Sequence, residues 1–423
     1  MKNILTIIFI SSVLPFHAST QVVSQEEYRT KVLEYNQDIK KAQAYIEAAQ
    51  SATKSAKTGH LPKLDINGNY SYQFFPPDFL SAELEPHSLS TDITLAQNVF
   101  SGNIASSQIE AGKIKEEMAR LGETNTRENI IYAADVNYWN ASANQEFYSV
   151  AQQFHTLIEK LYQVVNQRYL DGLISRTDLL MVETRKKEAE LQINQTEKNY
   201  QLSLQNMLVM AGLDPNAPIQ LDSIQYPIAI PQEMPLDQAL LARSDYQMAL
   251  KQTELANQQV RTVRGKFQPS LVVGLQETFG SSMINLDNET RFNTIAFAKL
   301  KIPVFDWNNR RHSVSQAKIE VVSADLDRSK KMDQISLELN NAKVNVNRTQ
   351  EQIGIARQTL AIATENLKLN TISYNEGRLP ILDVLSAQIS WLQAYTSVVS
   401  ANFQNKVAIA EYNKALGLNL ANR

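Results

Sequence analysis

The stretch Tyr169-Leu170-Asp171-Gly172-Leu173-Ile174-Ser175-Arg176-Thr177-Asp178-Leu179-Leu180 returns later as Tyr374-Asn375-Glu376-Gly377-Arg378-Leu379-Pro380-Ile381-Leu382-Asp383-Val384-Leu385. Equivalent positions keep a constant separation, since 374 − 169, 383 − 178 and, for the closing Gly-Leu-Asp/Asn triplets, 418 − 213 all equal 205. Val99-Phe100 and Val304-Phe305 share that spacing, whereas Pro62 and Pro269 lie 207 apart, so a two-residue length change falls between the proline and the Val-Phe pair. The chain is a tandem duplication. Each copy should therefore carry the same order of elements, and a weak signal in one copy can be checked against the other.

Outward from the repeated tip, both flanks read as helix. The second long segment has the clearest period: Leu339, Val346, Ile353, Leu360, Leu367 and Tyr374 fall seven apart, with Ala342, Ala356 and Ala363 as companions. That is a coiled-coil seam. Leu385, Ile389, Leu392, Val399 and Phe403 continue the theme beyond the turn, so each Gly-centred turn joins two antiparallel helices. The expected helices are 24–58, 102–170 and 174–211 in the first copy and 236–266, 308–375 and 380–417 in the second. A helix of about 68 residues is on the order of 100 Å long at 1.5 Å per residue. A rod of that length cannot bury its own seams in a monomeric core.

Ahead of each long helix the period changes to two. From Leu64 to Phe74 the apolar residues take even positions, with Gly68 the only gap, and Ser88 to Val99 alternates likewise. Leu271, Val273, Leu275 and Phe279 repeat the pattern in the second copy. This is a sheet with one wet and one greasy face. The strands are expected at about 62–75, 88–100, 268–280 and 291–305. In the last, Ile295 and Phe297 conflict with Ala298, Leu300 and Ile302, which leaves its register open. Strands of this length cross a bilayer when tilted, yet four cannot close a barrel, for which at least about eight are needed. If the strands are transmembrane, several chains must each contribute a share, with the connecting loops 76–87 and 280–291 outside. The alternative is a soluble two-hairpin cap on a helical rod.

Composition narrows the function classes. Gly and Pro number 13 each in 423 residues, few turns for such a length, which suits a small number of very long elements. Lys+Arg 41 against Asp+Glu 44 offers no field for nucleic acid. With Cys 0, disulfides, thiolate metal sites and thiol nucleophiles are excluded. Lys2, the apolar run Ile4–Ile10 with Val13-Leu14, Pro15 and the small Ala18-Ser19 follow the order of a secretory signal, so residues 1–18 are expected to be a cleaved leader. Gly-rich phosphate loops, His-Glu-x-x-His and Gly-x-Ser-x-Gly patterns are absent, and His17, His60, His87, His155 and His312 lack ligand spacing. His155 reads as a seam residue and Met207 and Met210 as core filler. The expectation is no enzyme, no metal and no cofactor.

The tips remain. Each carries an aspartate six residues after its turn glycine, Asp178 and Asp383. A carboxylate in a first helical turn caps amides and favours the dipole. The same carboxylate facing the axis of a closed helical tube becomes a ring of like charge that attracts cations. Both readings stand at this point.

In this order, and twice, the motifs are specific: Tyr-x-x-Gly-(x)5-Asp at each tip, Leu61-Pro62-Lys63-Leu64 before the first strand, and Val-Phe followed by Ser101-Gly102-Asn103 or Asp306-Trp307-Asn308. The chain resembles the TolC family of outer-membrane efflux proteins over essentially its whole mature length, with repeats at 19–214 and 215–423. The resemblance implies a mainly α fold with a transmembrane β part: a homotrimer whose 12-stranded outer-membrane barrel continues as a 12-helix periplasmic tube. It also implies a mixed equatorial belt at Asp214–Pro235 with the C-terminal tail. The function implied is the passive exit duct of a tripartite exporter, opened at the tips by a periplasmic adaptor and powered by a proton-driven or ATP-driven inner-membrane pump. Its cargo would be small compounds, metal ions or polypeptides, with small-molecule efflux the first expectation.

By the same resemblance, Asp383 looks like a constriction aspartate, and Ser386 stands where some relatives carry a second acid. Thr177, Asp178 and Tyr374 occupy positions of polar links between hairpins. The basic partner expected there is replaced by Leu379, with Arg378 one residue earlier, so the closing network should differ. Gly172, Leu173, Gly377 and Leu379 resemble adaptor-docking grooves. A different class, a periplasmic coiled-coil adaptor or structural protein, would also carry a leader and a helical hairpin. It would normally have one hairpin and compact β domains.

Overall fold

The computed structural model describes residues 21–72, 74, 87–280 and 291–418. The expected leader, most of both strand-connecting loops and the last five residues of the tail lie outside them. In chain order the elements are β1 (Gln21–Val23), α1 (Gln25–Tyr35), α2 (Gln37–Lys57), β2 (Lys63–Tyr72), β3 (His87–Ser101), α3 (Ile104–Leu170) and α4 (Arg176–Met210). They continue as β4 (Ile219–Leu221), α5 (Leu236–Ala242), α6 (Ser244–Gly265), β5 (Ser270–Gly280), β6 (Arg291–Lys301), α7 (Asn309–Asn375) and α8 (Ile381–Ala415).

The duplication is visible in three dimensions. Both long helices have 67 residues, and both final helices have 35. Both long helices start from a left-handed pair, Gly102-Asn103 and Trp307-Asn308, which turns the chain from strand into helix. The sequence-expected 24–58 and 236–266 are each broken into two helices, a correction to the reading of single elements. The breaks fall at Asn36 and Arg243, which are 207 apart. Asn36 stops α1 and its side chain accepts from the Asp38 and Ile39 amides, so it caps the next helix. Arg243 is buried and held by Asp245 and Glu338 at 2.8 Å.

Along the rod, α2, α3, α6 and α7 lie side by side over one half, and α4, α3, α8 and α7 over the other. At the middle, the segment after α4 straps the helices together. Tyr138 Oη donates to the Val23 carbonyl and to Asp222, and Gln225 donates to Glu146. Farther along, the Lys406 ammonium donates to the Tyr226 carbonyl, and Lys343 pairs with Glu233 at 2.5 Å. β1 and β4 form a short parallel pair beneath this strap, closing a core of Val23, Tyr28, Val32, Tyr138, Trp139, Met207, Leu221 and Ile224. Met207 is fully buried and the Met210 sulfur accepts from Asn137, so both methionines are packing residues.

The four longer strands form one antiparallel sheet in the order β2-β3-β5-β6, with both outer edges unpaired among the described residues. Asp92 anchors the wet face, accepting from Asn69, Gln276 and Thr278. The register left open by the sequence is settled: Val273 faces Ala298 and Leu275 faces Ala296, on the greasy side. Phe297 then falls on the wet side, where its ring lies over Gly274. A Cβ at Gly274 would meet that ring at 2.5 Å. β6 ends at Lys301 rather than near 305, two residues before Pro303, which has no amide to donate. Among the described residues no helix is long and apolar enough to cross a membrane.

Candidate functional site at the helical hairpin tips

The two tips are built by the same chemistry. Beyond the end of α3 the chain turns at Gly172 (φ 71°), with the Leu173 amide donating to the Arg168 carbonyl and the Gly172 amide to that of Tyr169. Beyond the end of α7 it turns at Gly377 (φ 74°), with the Arg378 amide donating to the Ser373 carbonyl and the Gly377 amide to that of Tyr374. These crossed bonds satisfy carbonyls a helix end leaves free, and the left-handed residue they need is why glycine recurs. At both positions a Cβ would meet nothing within 4 Å, so the requirement is backbone angle and not space.

The two aspartates part ways. Ser175 caps α4: its hydroxyl accepts from the Asp178 amide, while the Asp178 carboxylate accepts from the Ser175 amide and hydroxyl. Asp178 is thus committed to a capping box. At the second tip the residue equivalent to Ser175 is Pro380, which has neither hydroxyl nor amide hydrogen. No hydrogen bond or ion pair engages the Asp383 carboxylate among the described residues, and the residue is half-buried. Ser386, one turn on, donates back to the Leu382 carbonyl at 2.8 Å.

The network between hairpins differs from the one expected of Thr177, Asp178 and Tyr374. Tyr374 is buried, yet its hydroxyl has no hydrogen-bond partner among the described residues, and Thr177 is exposed. The basic partner is instead Arg168, on the opposite hairpin of the same chain. Its guanidinium lies 4.7 Å from the Tyr374 ring centre and donates to the carbonyls of Tyr374 (3.1 Å) and Asn375 (2.8 Å). A cation over an aromatic face and at a helix C-terminus is favoured twice. Burial raises the Tyr374 phenol above its usual range, Asp178 adds to the rise, and Arg168 opposes it. Arg378 is displaced from the network into an exposed pair with Glu376 at 3.1 Å. Leu379 is half-buried, whereas Leu173 is 71% exposed at the extreme end.

Behind the tips the hairpins share one core, with Phe154, Ile158, Leu161, Val165, Leu179 and Val182 of the first against Leu367, Tyr374, Ile381, Val384, Leu385 and Trp391 of the second. His155 sits half-buried beside it, in keeping with a seam residue. Sequence reasoning missed Arg168. The available signal was a basic residue in the last turn of α3, one position before the repeated tyrosine.

Residues 29–213 and 236–418 match the sequence profile of the outer membrane efflux protein family, which accounts for both copies. The chain belongs to this family. Nodulation protein T of Rhizobium leguminosarum bv. trifolii is 20% identical over 402 residues, covering 92% of this chain and 84% of that protein. The cation efflux system protein CusC of Escherichia coli O157:H7 is 22% identical over 409 residues, with 92% and 84% covered. A crystal structure of CusC superposes with a TM-score of 0.80 at 17% identity, covering 93% of this chain and 91% of that one. The fold is therefore that of an outer-membrane efflux channel, with the sheet in the outer membrane and the helical rod in the periplasm. That architecture replaces the soluble-cap and periplasmic-adaptor alternatives.

Proposed function

We propose that three copies of this chain close a twelve-stranded barrel and a twelve-helix tube, and that the tube is the passive exit duct of a tripartite exporter. The observation that carries this reading is the sheet with two open edges standing on a rod whose outer seams are bare. The barrel needs about eight strands or more, and one chain supplies four. Apolar stripes at Val344, Ile355, Ile362 and Leu369 of α7 and at Leu180, Leu191, Leu202 and Val209 of α4 stay exposed in the single chain. Stripes of that length call for cover by neighbouring copies. In this reading residues 1–18 are removed on export, and 19–214 and 215–423 supply alternate sixths of the wall.

The gate would lie at the tips. Asp383 faces the constriction with Ser386 beside it, and Asp178, Thr177, Tyr374 and Arg378 surround the contact that Arg168 holds shut. A periplasmic adaptor would dock at Gly172, Leu173, Gly377 and Leu379, spread the hairpins and connect the duct to an inner-membrane pump. The name of CusC suggests cation efflux for that relative, and a free aspartate ring would suit cationic cargo here. The deciding experiment is cross-linking in isolated outer membranes, detergent extraction and mass measurement. A trimer carrying an adaptor and a pump is expected; a monomer found only in the soluble periplasm would overturn the reading.

A further inference from the structure

The two hairpins of the sheet obey the repeat to the residue. Within the first, Lys63 faces Ala96 and Tyr72 faces His87. Adding 207 to the first strand and 205 to the second gives Ser270 with Lys301 and Phe279 with Phe292, the pairs found in the second hairpin. The copies meet at one further ladder, β3 with β5. Its counterpart, β6 with the β2 of another copy, lies beyond the chain.

One observation shows that this counterpart is missing. β3 has 15 residues, and its last ones, Gln97 to Ser101 with Val99 skipped, join the ladder of β5 alone, past the end of β2. The equivalent residues of the second copy are Ile302 to Asp306. They follow β6, which has 11 residues, and join no strand ladder among the described residues. Val304 is 91% exposed and Phe305 72%. The strand is short by the segment whose partner is absent.

We infer that Ala296–Asp306 of one copy pairs antiparallel with Lys63–Tyr72 of the next, in the register set by the β3–β5 ladder. This rests on the trimeric reading above and specifies its seam. Moving each observed pair by the two offsets turns Asp92–Thr278 into Phe297–Ser71, Thr94–Gln276 into Lys299–Asn69, and Gln97–Val273 into Ile302–Ile66. Ser101–Ser270 becomes Asp306–Lys63, a pair of opposite charges. The irregularity between Asn98 and Phe100 becomes one between Pro303 and Phe305, which leaves Val304 unpaired and puts the proline where a missing amide does least harm.

The side chains provide an independent check. On the greasy face this register sets Tyr70 against Ala298, Tyr72 against Ala296 and Gly68 against Leu300, large beside small each time. On the wet face Lys301 meets Asn67 and Lys299 meets Asn69. A slip of one residue would put Tyr70 against Lys299 or Phe297 and Ile66 against Lys301 or Pro303, mixing the faces.

The chain has no cysteine, so introduced thiols are the only ones present. Directly opposed strand residues reach disulfide distance, and residues two further along fall outside it. In trimers extracted from outer membranes and oxidised, Lys299→Cys with Asn69→Cys is expected to give a ladder of linked dimers and trimers on denaturing gels. Lys299→Cys with Asn67→Cys or with Ser71→Cys should give several-fold less. Phe305→Cys with Leu64→Cys tests the extension in the same way. Stronger linking by a displaced pair, or no linking in a particle of trimeric mass, overturns the register while the trimer stands. A particle of monomeric mass overturns the trimeric reading and the register with it.

Discussion

In the proposed gate, Arg168 is the residue that would hold the tip closed. Charge-assisted hydrogen bonds contribute on the order of 1–3 kcal/mol each, and Arg168 makes two while stacking on Tyr374. Arg168→Ala should therefore raise the resting conductance of the channel in planar bilayers, whereas Arg348→Ala, which breaks only an exposed pair with Glu351 along α7, should leave it unchanged. Asp383→Ala is expected to weaken cation preference. Unchanged selectivity in a conducting trimer would refute the aspartate's role. At the belt, Lys406 is 3% exposed, and burial pulls its ammonium from 10.5 down to about 8. Trp139, 3.9 Å from the ammonium to its ring centre, offsets part of that cost. Between pH 8 and 10.5 the unfolded chain holds the proton that the folded chain has lost, so stability should rise with pH across that window. The rise should vanish in Lys406→Met, as read by Tm against pH.

At the scale of the element, the two tips form a controlled comparison. Ser175→Ala removes a capping box and should cost about 1 kcal/mol, while Pro380→Ala removes no cap bond and should cost far less by thermal unfolding. The long helices, their seam and the tip glycines were legible because each depends on a local period or a local angle. Val346, Ala342, Leu367 and Tyr374 are buried as the seven-residue spacing required. The break at Asn36 carried a local signal, an asparagine able to cap the next helix, whereas the break at Arg243 was not legible, because it shows only in the contacts of Arg243 with Asp245 and Glu338. Nor was the register of β6, since Phe297 is apolar on a wet face and is explained only by Gly274 on the adjacent strand. The contact of Arg168 with Tyr374 joins positions 206 apart that no pattern links. Asp383 was legible as a position, and its freedom became so only once Pro380 was seen to cap without a side chain.

For the whole molecule, the bare stripes of α4 and α7 tie folding to assembly. Ile362 and Leu191 are 71% and 67% exposed in the single chain and take no part in its core. Ile362→Glu or Leu191→Glu should leave the helical content of the monomer intact and prevent the trimer, as measured by mass in detergent and circular dichroism. Equal trimer yield would place those stripes against something other than a sister chain. The belt sets a second constraint, since β1 pairs with β4 across nearly two hundred residues and can form only when the first copy is complete.

The contact between Arg168 and Tyr374 lies inside one chain and not between chains. A duct with three such clasps has three independent fastenings, each able to let go while the other two hold. Its current should then climb in discrete partial levels, and a single defective subunit mixed into the ring should leave the pore ajar by one sector.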